Sequence, residues 1–296
     1  MVCYHPLKAW RSQEGGVTFS VSNAWVDKPI TLPCGQCVGC RLERSRQWAV
    51  RCMHEAQCHE QNCFITLTYS PENEPQDRGL HKRDHQLFLK RLRKRYTHRI
   101  RYYLCGEYGA KYGRPHYHAC LFGHDFKDKR PWRRIGDNIL YRSEELESLW
   151  TVGYSSVGAL TFQSAAYVAR YIMKKVTGNE AEDHYSWVDD DGVVNSVQPE
   201  YTAMSRRPGI GSEWLDKFGT DVYPSDFVLI NGKRARPPRY YDARWELTNP
   251  KELQEVKRER RRKAKDREED LTPERLRVRE YVQKRRLDKL GESIED

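Results

Sequence analysis

A β-branched and aromatic run, Cys63 to Tyr69, predicts a strand that ends at Ser70-Pro71. Beyond a polar loop, Leu87, Phe88, Leu89 and Leu92 recur at helical spacing against a basic outer face, which predicts a helix over Asp84 to Arg95. Ile100 to Cys105 reads as the next strand, with Gly106 to Gly109 starting its turn, and Arg114 to Gly123 as its paired strand. A short helix is expected over Leu146 to Trp150, a strand over Gly153 to Leu160, and a helix over Gln163 to Lys175 with Gly178 just past its end. Upstream, an arginine-rich helix is expected over Arg41 to Gln57, with Trp48 and Val50 among its apolar positions. Glu180 to Ser196 is acidic and polar and reads as a mobile loop; Met204 to Gly211 is a second, glycine-rich loop, with Trp214 beyond it. From Asn249 the composition changes. Lys257 to Arg267 has almost no apolar residues, so a solvated or disordered helix is expected there, with a DNA-binding arm as the other reading. There is no internal repeat. Strands and helices mixed in this way predict an α+β fold.

The 296 residues leave room for one large domain, or a main domain with appendages. A hydrophobic fraction of 38% supports a core, while 32% charged residues and a mean hydropathy of -0.90 leave part of the chain solvated. The net charge of +10 and pI of about 9.1 favour a polyanionic partner, of which nucleic acid is the commonest. No apolar run approaches the roughly 20 residues of a membrane span, and Met1 to Trp10 lacks the apolar stretch of a signal peptide, so no membrane is expected. Nine cysteines, an odd count, argue for a reducing cytoplasm rather than a disulfide framework.

The candidate chemistry lies in two segments. Within Arg114 to Phe122, His116 and His118 share one face of the expected strand while Tyr117 points to the other. Two adjacent imidazoles make half of a divalent metal site. A hard cation also needs an oxygen ligand, and Glu107, nine residues before His116, is the candidate; a hairpin through Gly109 to Gly113 would bring it back beside the histidines. In the expected helix, Tyr167 and Tyr171 are four apart, so they share a face with a rise of about 6 Å between them. A phenol is a weak nucleophile at neutral pH, and a metal polarising a phosphate would assist it. Lys174 and Lys175 follow closely enough to contact that phosphate. The plainer alternative makes the histidines ordinary strand residues and the tyrosines core residues of an amphipathic helix. Separately, Cys34, Cys37 and Cys40 form C-x2-C-x2-C. Tetrahedral zinc needs a fourth ligand. Cys3 is the first choice and His5 the second, with Cys52, Cys58 and His59 as others; three reduced thiols on a turn is the reading without metal.

Phe64 to Tyr69, then Pro115-His116-Tyr117-His118, then Tyr167 to Tyr171 with Lys174 and Lys175, resemble in order and spacing the motifs of the HUH endonucleases that start rolling-circle replication. The resemblance is narrowest to the initiators of small circular single-stranded DNA phages of the microvirus, gokushovirus type. It implies a central antiparallel sheet flanked by helices, with the histidines on a middle strand and the tyrosines on a helix facing them. It implies that His116, His118 and Glu107 hold Mg2+ or Mn2+. One of Tyr167 and Tyr171 would attack single-stranded origin DNA, keep the 5′ phosphate and release a 3′ hydroxyl for the host polymerase. The second would permit a new cut, and Lys174 or Lys175 would contact phosphate. The expected organisation is then a cysteine-rich segment with a zinc site and basic helix (1–60), a nuclease core (61–248) and a charged tail (249–296). No G-x4-G-K-[ST] loop occurs, which fits an initiator that borrows a host helicase in the host bacterial cytoplasm. The competing reading is a non-catalytic, zinc-stabilised DNA-binding protein.

Overall fold

The computed structural model describes residues 3–109, 113–136, 138–170, 175–176, 178, 180–188, 191–266 and 268–292. The chain divides into two compact units, Ser45–Leu253 and Met1–Arg44 with Gln254–Asp296.

The unit Ser45–Leu253 is built on a seven-stranded antiparallel sheet. Its strands lie in the order Tyr201–Met204, Arg101–Tyr108, Pro115–Phe122, Asn62–Tyr69, Gly153–Gly158, Asn138–Arg142 and Arg130–Ile135. Side chains alternate between its faces, and each face carries its own core. On one, Ile65, Leu67, Leu104, Tyr117, Leu121 and Val157 pack with Phe88, Leu89 and Leu92 of the helix Lys82–Arg95 and with Leu146 and Leu149 of the helix Glu144–Leu149. Trp150 closes this core and donates its Nε1–H to the Thr68 carbonyl at 3.0 Å. On the other face, Tyr103, Cys105, Cys120 and Phe122 pack beneath Ala49 and Cys52 of the helix Val38–Ala56, and beneath Ala165, Val168 and Ala169 of the helix Phe162–Arg170. Burying each large apolar side chain contributes about 1.5–3 kcal/mol, so these two layers hold the central strands in register. The α+β class with helices flanking an antiparallel sheet is as expected.

Two local expectations are corrected. The strand expected to turn at Gly106 continues to Tyr108, because Glu107 and Tyr108 pair with His116 and Pro115. The segment expected to be a mobile loop, 180–196, contains the one-turn helix Ala181–His184 and a hairpin of Ser186–Val188 with Val194–Ser196. Its valines and Trp187 favour pairing, and Gly192, at φ +79°, sits in the turn.

In the other unit, Leu7–Ser12 pairs with both Val17–Thr18 and Ala24–Leu32 in a three-stranded sheet that the sequence did not announce. The charged C-terminal region forms the helices Pro250–Lys265 and Pro273–Glu292. Val256 and Leu276 are the buried apolar residues within its share of that region. Among the described residues, no helix is long and apolar enough to cross a membrane.

Candidate active site

The strand Pro115–Phe122 lies between Arg101–Tyr108 and Asn62–Tyr69, so each of its histidines has a partner on both sides. His116 stands opposite Glu107 and Thr68, and His118 opposite Cys105 and Thr66. Both histidines face the layer that contains the helix Phe162–Arg170. Thr66 Oγ1 lies 2.9 Å from His118 Nδ1, and Thr68 Oγ1 lies 3.0 Å from His116 Nδ1. His118 Nε2 reaches Glu107 Oε1 at 2.7 Å. His118 is 6% exposed and Glu107 3%, so this pair meets away from bulk water. At the strand's end, a Cβ on Gly109 would stand 2.9 Å from His116 Nε2, so the absent side chain leaves that nitrogen its space.

The threonines matter to the tautomer. If Nδ1–H donates to the threonine hydroxyl, Nε2 carries the lone pair that a cation needs. If Nδ1 accepts from the hydroxyl, Nε2–H of His118 donates to Glu107. A hydroxyl that both donates and accepts serves either state. Two imidazoles and a buried carboxylate are therefore a donor set of the kind that takes a divalent cation.

Tyr167 completes the cluster. Its ring meets His118 edge-on, with centroids 5.1 Å apart and planes at 88°, while Phe64 stacks on the His118 ring at 5.7 Å. The helix is placed by its start, where Thr161 and Ser164 exchange bonds between side-chain oxygens and backbone N–H groups at 2.8 and 3.1 Å. Ser45 Oγ also donates to the Ala166 carbonyl at 3.2 Å.

The same sheet face continues outward from the histidines. Thr68 pairs with Tyr154, which is 50% exposed. The Arg142 guanidinium lies 5.9 Å from the Tyr154 ring and 4.8 Å from that of Trp132, which is 55% exposed. Exposed aromatic rings interleaved with a guanidinium are surfaces on which nucleic-acid bases stack.

In the unit with the N-terminal sheet, Cys3, Cys34, Cys37 and Cys40 place their sulfurs within 4.8 Å of one another. Cys3 Sγ and Cys37 Sγ are 3.9 Å apart, close to the edge of about 3.8 Å that zinc–sulfur bonds of about 2.3 Å give a tetrahedron. Backbone N–H groups of Tyr4, Cys34 and Cys37 donate to the sulfurs of Cys37, Cys3 and Cys34 at 3.3, 3.2 and 3.3 Å, an outer layer suited to thiolates. Burial pushes the Cys40 thiol up to about 12. Burial acts upward on Cys34 too, but the N–H groups of Cys37 and Gln36 outweigh it and leave this thiol at about 7. The cluster could hold a metal ion, and its chemistry suits zinc.

The family model for replication-associated proteins of the ORF2 class matches residues 62–176, the stretch from the strand Asn62–Tyr69 past the described end of the tyrosine helix. The chain is 31% identical over 280 residues to replication-associated protein VP4 of Bdellovibrio phage phiMH2K, covering 90% of this chain and 84% of that protein. The chain belongs to the phage replication-associated protein family. It is also 35% identical over 232 residues to replication-associated protein ORF2 of Spiroplasma virus 4, covering 73% of this chain and 68% of the relative. Against replication-associated protein ORF4 of Chlamydia phage 1 the identity is 32% over 221 residues, covering 71% and 52%. No solved structure matches the chain.

In this replication-associated protein, then, His116, His118, Glu107 and Tyr167 come together on one sheet face. Tyr171 and Lys174 lie outside the described residues, and Lys175 is half-buried beyond the described end of the helix. Cys3 joins the other three cysteines. His5 instead meets Glu280 at 2.8 Å, and Cys52 packs in the core beside Cys120. Sequence reasoning missed Thr66 and Thr68 as supports of the histidines. It also missed Trp132, Arg142 and Tyr154, although Trp132-Arg133-Arg134 on an otherwise polar strand was a usable signal.

Proposed function

We propose that this replication-associated protein initiates phage DNA replication by cutting and rejoining single-stranded origin DNA through a phosphotyrosine. The observation that carries the reading is the Tyr167 ring against His118, on the face shared by His116 and Glu107. In the proposed reaction, the tyrosine oxygen attacks phosphorus, the bond from phosphorus to the 3′ oxygen breaks, and the phenolic proton leaves to solvent. The 5′ phosphate stays on tyrosine, and the freed 3′ hydroxyl serves the host polymerase. The new ester retains the energy of the old one, so rejoining needs no ATP. Tyr167 is assigned as one nucleophile and Tyr171 as the other, with Lys174 or Lys175 as a phosphate contact.

His116, His118 and Glu107 are assigned as ligands of Mg2+ or Mn2+. When bound, such an ion would polarise the phosphate and offset its growing charge. The mixed imidazole and carboxylate set suits manganese, or magnesium with water in the remaining positions. Thr66 and Thr68 orient the two rings so that Nε2 is offered. The Cys3, Cys34, Cys37 and Cys40 cluster is assigned a structural zinc that pins the cysteine-rich segment. Nuclease activity is assigned to residues 61–248. Unwinding is assigned to a host helicase, and the site of action to the host bacterial cytoplasm.

The test is cleavage of the phage's own origin strand, labelled on both sides of the cut, with and without Mn2+ or Mg2+. Wild type should form a covalent adduct only with metal, and the Tyr167→Phe/Tyr171→Phe double variant should form none. Binding without an adduct on any origin fragment would favour a non-catalytic DNA-binding protein instead.

A further inference from the structure

The loop 205–211 plays no part in the chemistry above, yet it is among the most firmly held segments of its unit. The Ser205 N–H donates to the Tyr102 carbonyl at 3.0 Å, and the Tyr102 N–H returns to Ser205 Oγ at 3.1 Å. The Arg101 guanidinium donates to the Pro208 carbonyl at 2.9 Å while its Nε is held by the buried Glu55 carboxylate. The same carboxylate accepts the Gly211 N–H at 2.7 Å, and Arg51 Nε donates to the Ile210 carbonyl at 3.0 Å. Gly211, at φ +76°, leaves no room for a Cβ, which would stand 2.6 Å from the Tyr241 hydroxyl.

What this scaffold presents is a cavity of about 460 Å³ at the end of the sheet where Arg101–Tyr108 begins. Arg93, Arg99, Arg101, Arg206, Arg207 and His98 line it, and none of the described lining residues is acidic. Two of the five guanidiniums are neutralised: Arg101 by Glu55, and Arg99 by Glu213 at 2.9 Å. Arg99 also donates to the Arg207 carbonyl at 3.4 Å, so both support the loop. Arg93 lies 5.4 Å from the Tyr102 ring. Arg206 and Arg207 are exposed, and with Arg93 they leave the cavity a surplus of positive charge. Guanidiniums in a fixed frame are the preferred recognition group for phosphate oxygens. The cavity and the histidines belong to the same two strands. Arg101 pairs with Phe122 and Cys105 with His118, four residues apart, which is about 14 Å at 3.4 Å per residue. A stacked strand rising about 3.4 Å per phosphate covers that distance in about four nucleotides.

We propose that this cavity grips one backbone phosphate of the single DNA strand being processed, about four nucleotides from the cut. Arg206 and Arg207 are the contacting cations; Arg99 and Arg101 are positioning residues that hold their loop. The proposal rests on the DNA-cutting reading and adds a fixed anchor that sets where the strand lies. The test measures binding of an origin oligonucleotide by fluorescence anisotropy across a salt series, for wild type and Arg206→Gln/Arg207→Gln. A parallel scan replaces single phosphates by neutral methylphosphonate. Wild-type affinity should fall roughly ten- to a hundredfold at one position of the scan. The variant should lose that sensitive position, and the slope of log affinity against log salt should become shallower by about 0.7, the value of one released counterion on a single strand. Thermal melting should leave the variant folded, since both side chains are exposed. An unchanged slope and the same sensitive position in the variant would overturn the proposal. So would displacement by inorganic phosphate at constant ionic strength with no sensitive position, which would make the cavity a site for a free anion. Adduct formation by wild type is scored separately: its absence with the scan pattern intact sinks the cutting reading alone.

Discussion

Replacing Glu55 by alanine should destabilise the unit Ser45–Leu253 more than any surface change. Its side chain is 0% exposed, beneath an Arg101 side chain that is 2% exposed. Its oxygens accept from the Arg101 guanidinium, the Gly211 N–H at 2.7 Å and the His59 ring at 3.2 Å. Burial alone would push the carboxyl up; His59, Gly211 and Arg101 overcome it and hold it below the usual carboxylate range. A folded-state value below the unfolded one contributes stability that is present above the unfolded pKa and lost as pH falls through the folded one. Alanine would leave Arg101 charged, buried and without its carboxylate, and the Gly211 N–H without its acceptor. Breaking a buried pair in this way costs about 3–5 kcal/mol. For a folding unit of this size, each kcal/mol moves the melting temperature by about 2–4 °C, so a fall of about 6–20 °C is expected. Differential scanning fluorimetry at pH 7.5 measures it. Glu55→Gln, which keeps an acceptor, should fall less, and Glu55→Leu/Arg101→Met should recover part of the loss because no charge is left stranded. A Glu55→Ala melting temperature within about 2 °C of wild type would refute the reasoning.

Thr66→Val removes the hydroxyl on His118 Nδ1 while keeping the shape of the strand, so Mn2+ affinity measured by calorimetry should fall about 10–100-fold; no change would deny the threonine its orienting role. His54, His85 and His124 are each held down to about 4, chiefly by burial. Their folded values lie below the unfolded one, so stability should be complete above about pH 6.5 and decline toward pH 4, by up to about 1.4 kcal/mol per pH unit for each histidine; a flat melting profile over that range would contradict it. Trp132→Ala should weaken single-stranded DNA binding by about 1–3 kcal/mol if bases stack beside Arg142, and Trp132→Phe should retain most of the affinity. Metal analysis should find one zinc per chain, lost on chelation or in Cys34→Ser; four freely titrating thiols in the folded protein would exclude that site.

Local pattern was enough to read the central elements. The strand Asn62–Tyr69 and the helix Lys82–Arg95 carry runs whose apolar residues face one buried layer, and such periodicity is visible without neighbours. The elements that escaped are those without a buried face. Arg130–Ile135 is exposed along its whole length, and most of Ala24–Leu32 is exposed, so pairing rather than burial makes them strands. The segment 180–196 reads as a loop because its acidic residues obscure a hairpin held by three residue pairs. At the site, spacing alone puts His116 and His118 on one face. It cannot say that Thr66 and Thr68 stand beside them, since that depends on the register of a strand about fifty residues away. The loop 205–211 is a similar case: its arginines are plain in the sequence, but the cavity they line needs Arg93, His98 and Arg99 from a distant segment.

The most direct measurement is mass spectrometry of the tryptic peptides from protein incubated with its origin strand and Mn2+, then digested with nuclease. Cleavage after Arg142, Arg170 and Lys174 puts Tyr167 in the peptide Ser143–Arg170 and Tyr171 in the peptide Tyr171–Lys174, so the two tyrosines report separately. A nucleotide on the Tyr167 or the Tyr171 peptide, present only with metal and lost in His116→Ala/His118→Ala, is the predicted result. Cut DNA with no nucleotide on either peptide, or an adduct that survives loss of both histidines, would contradict it.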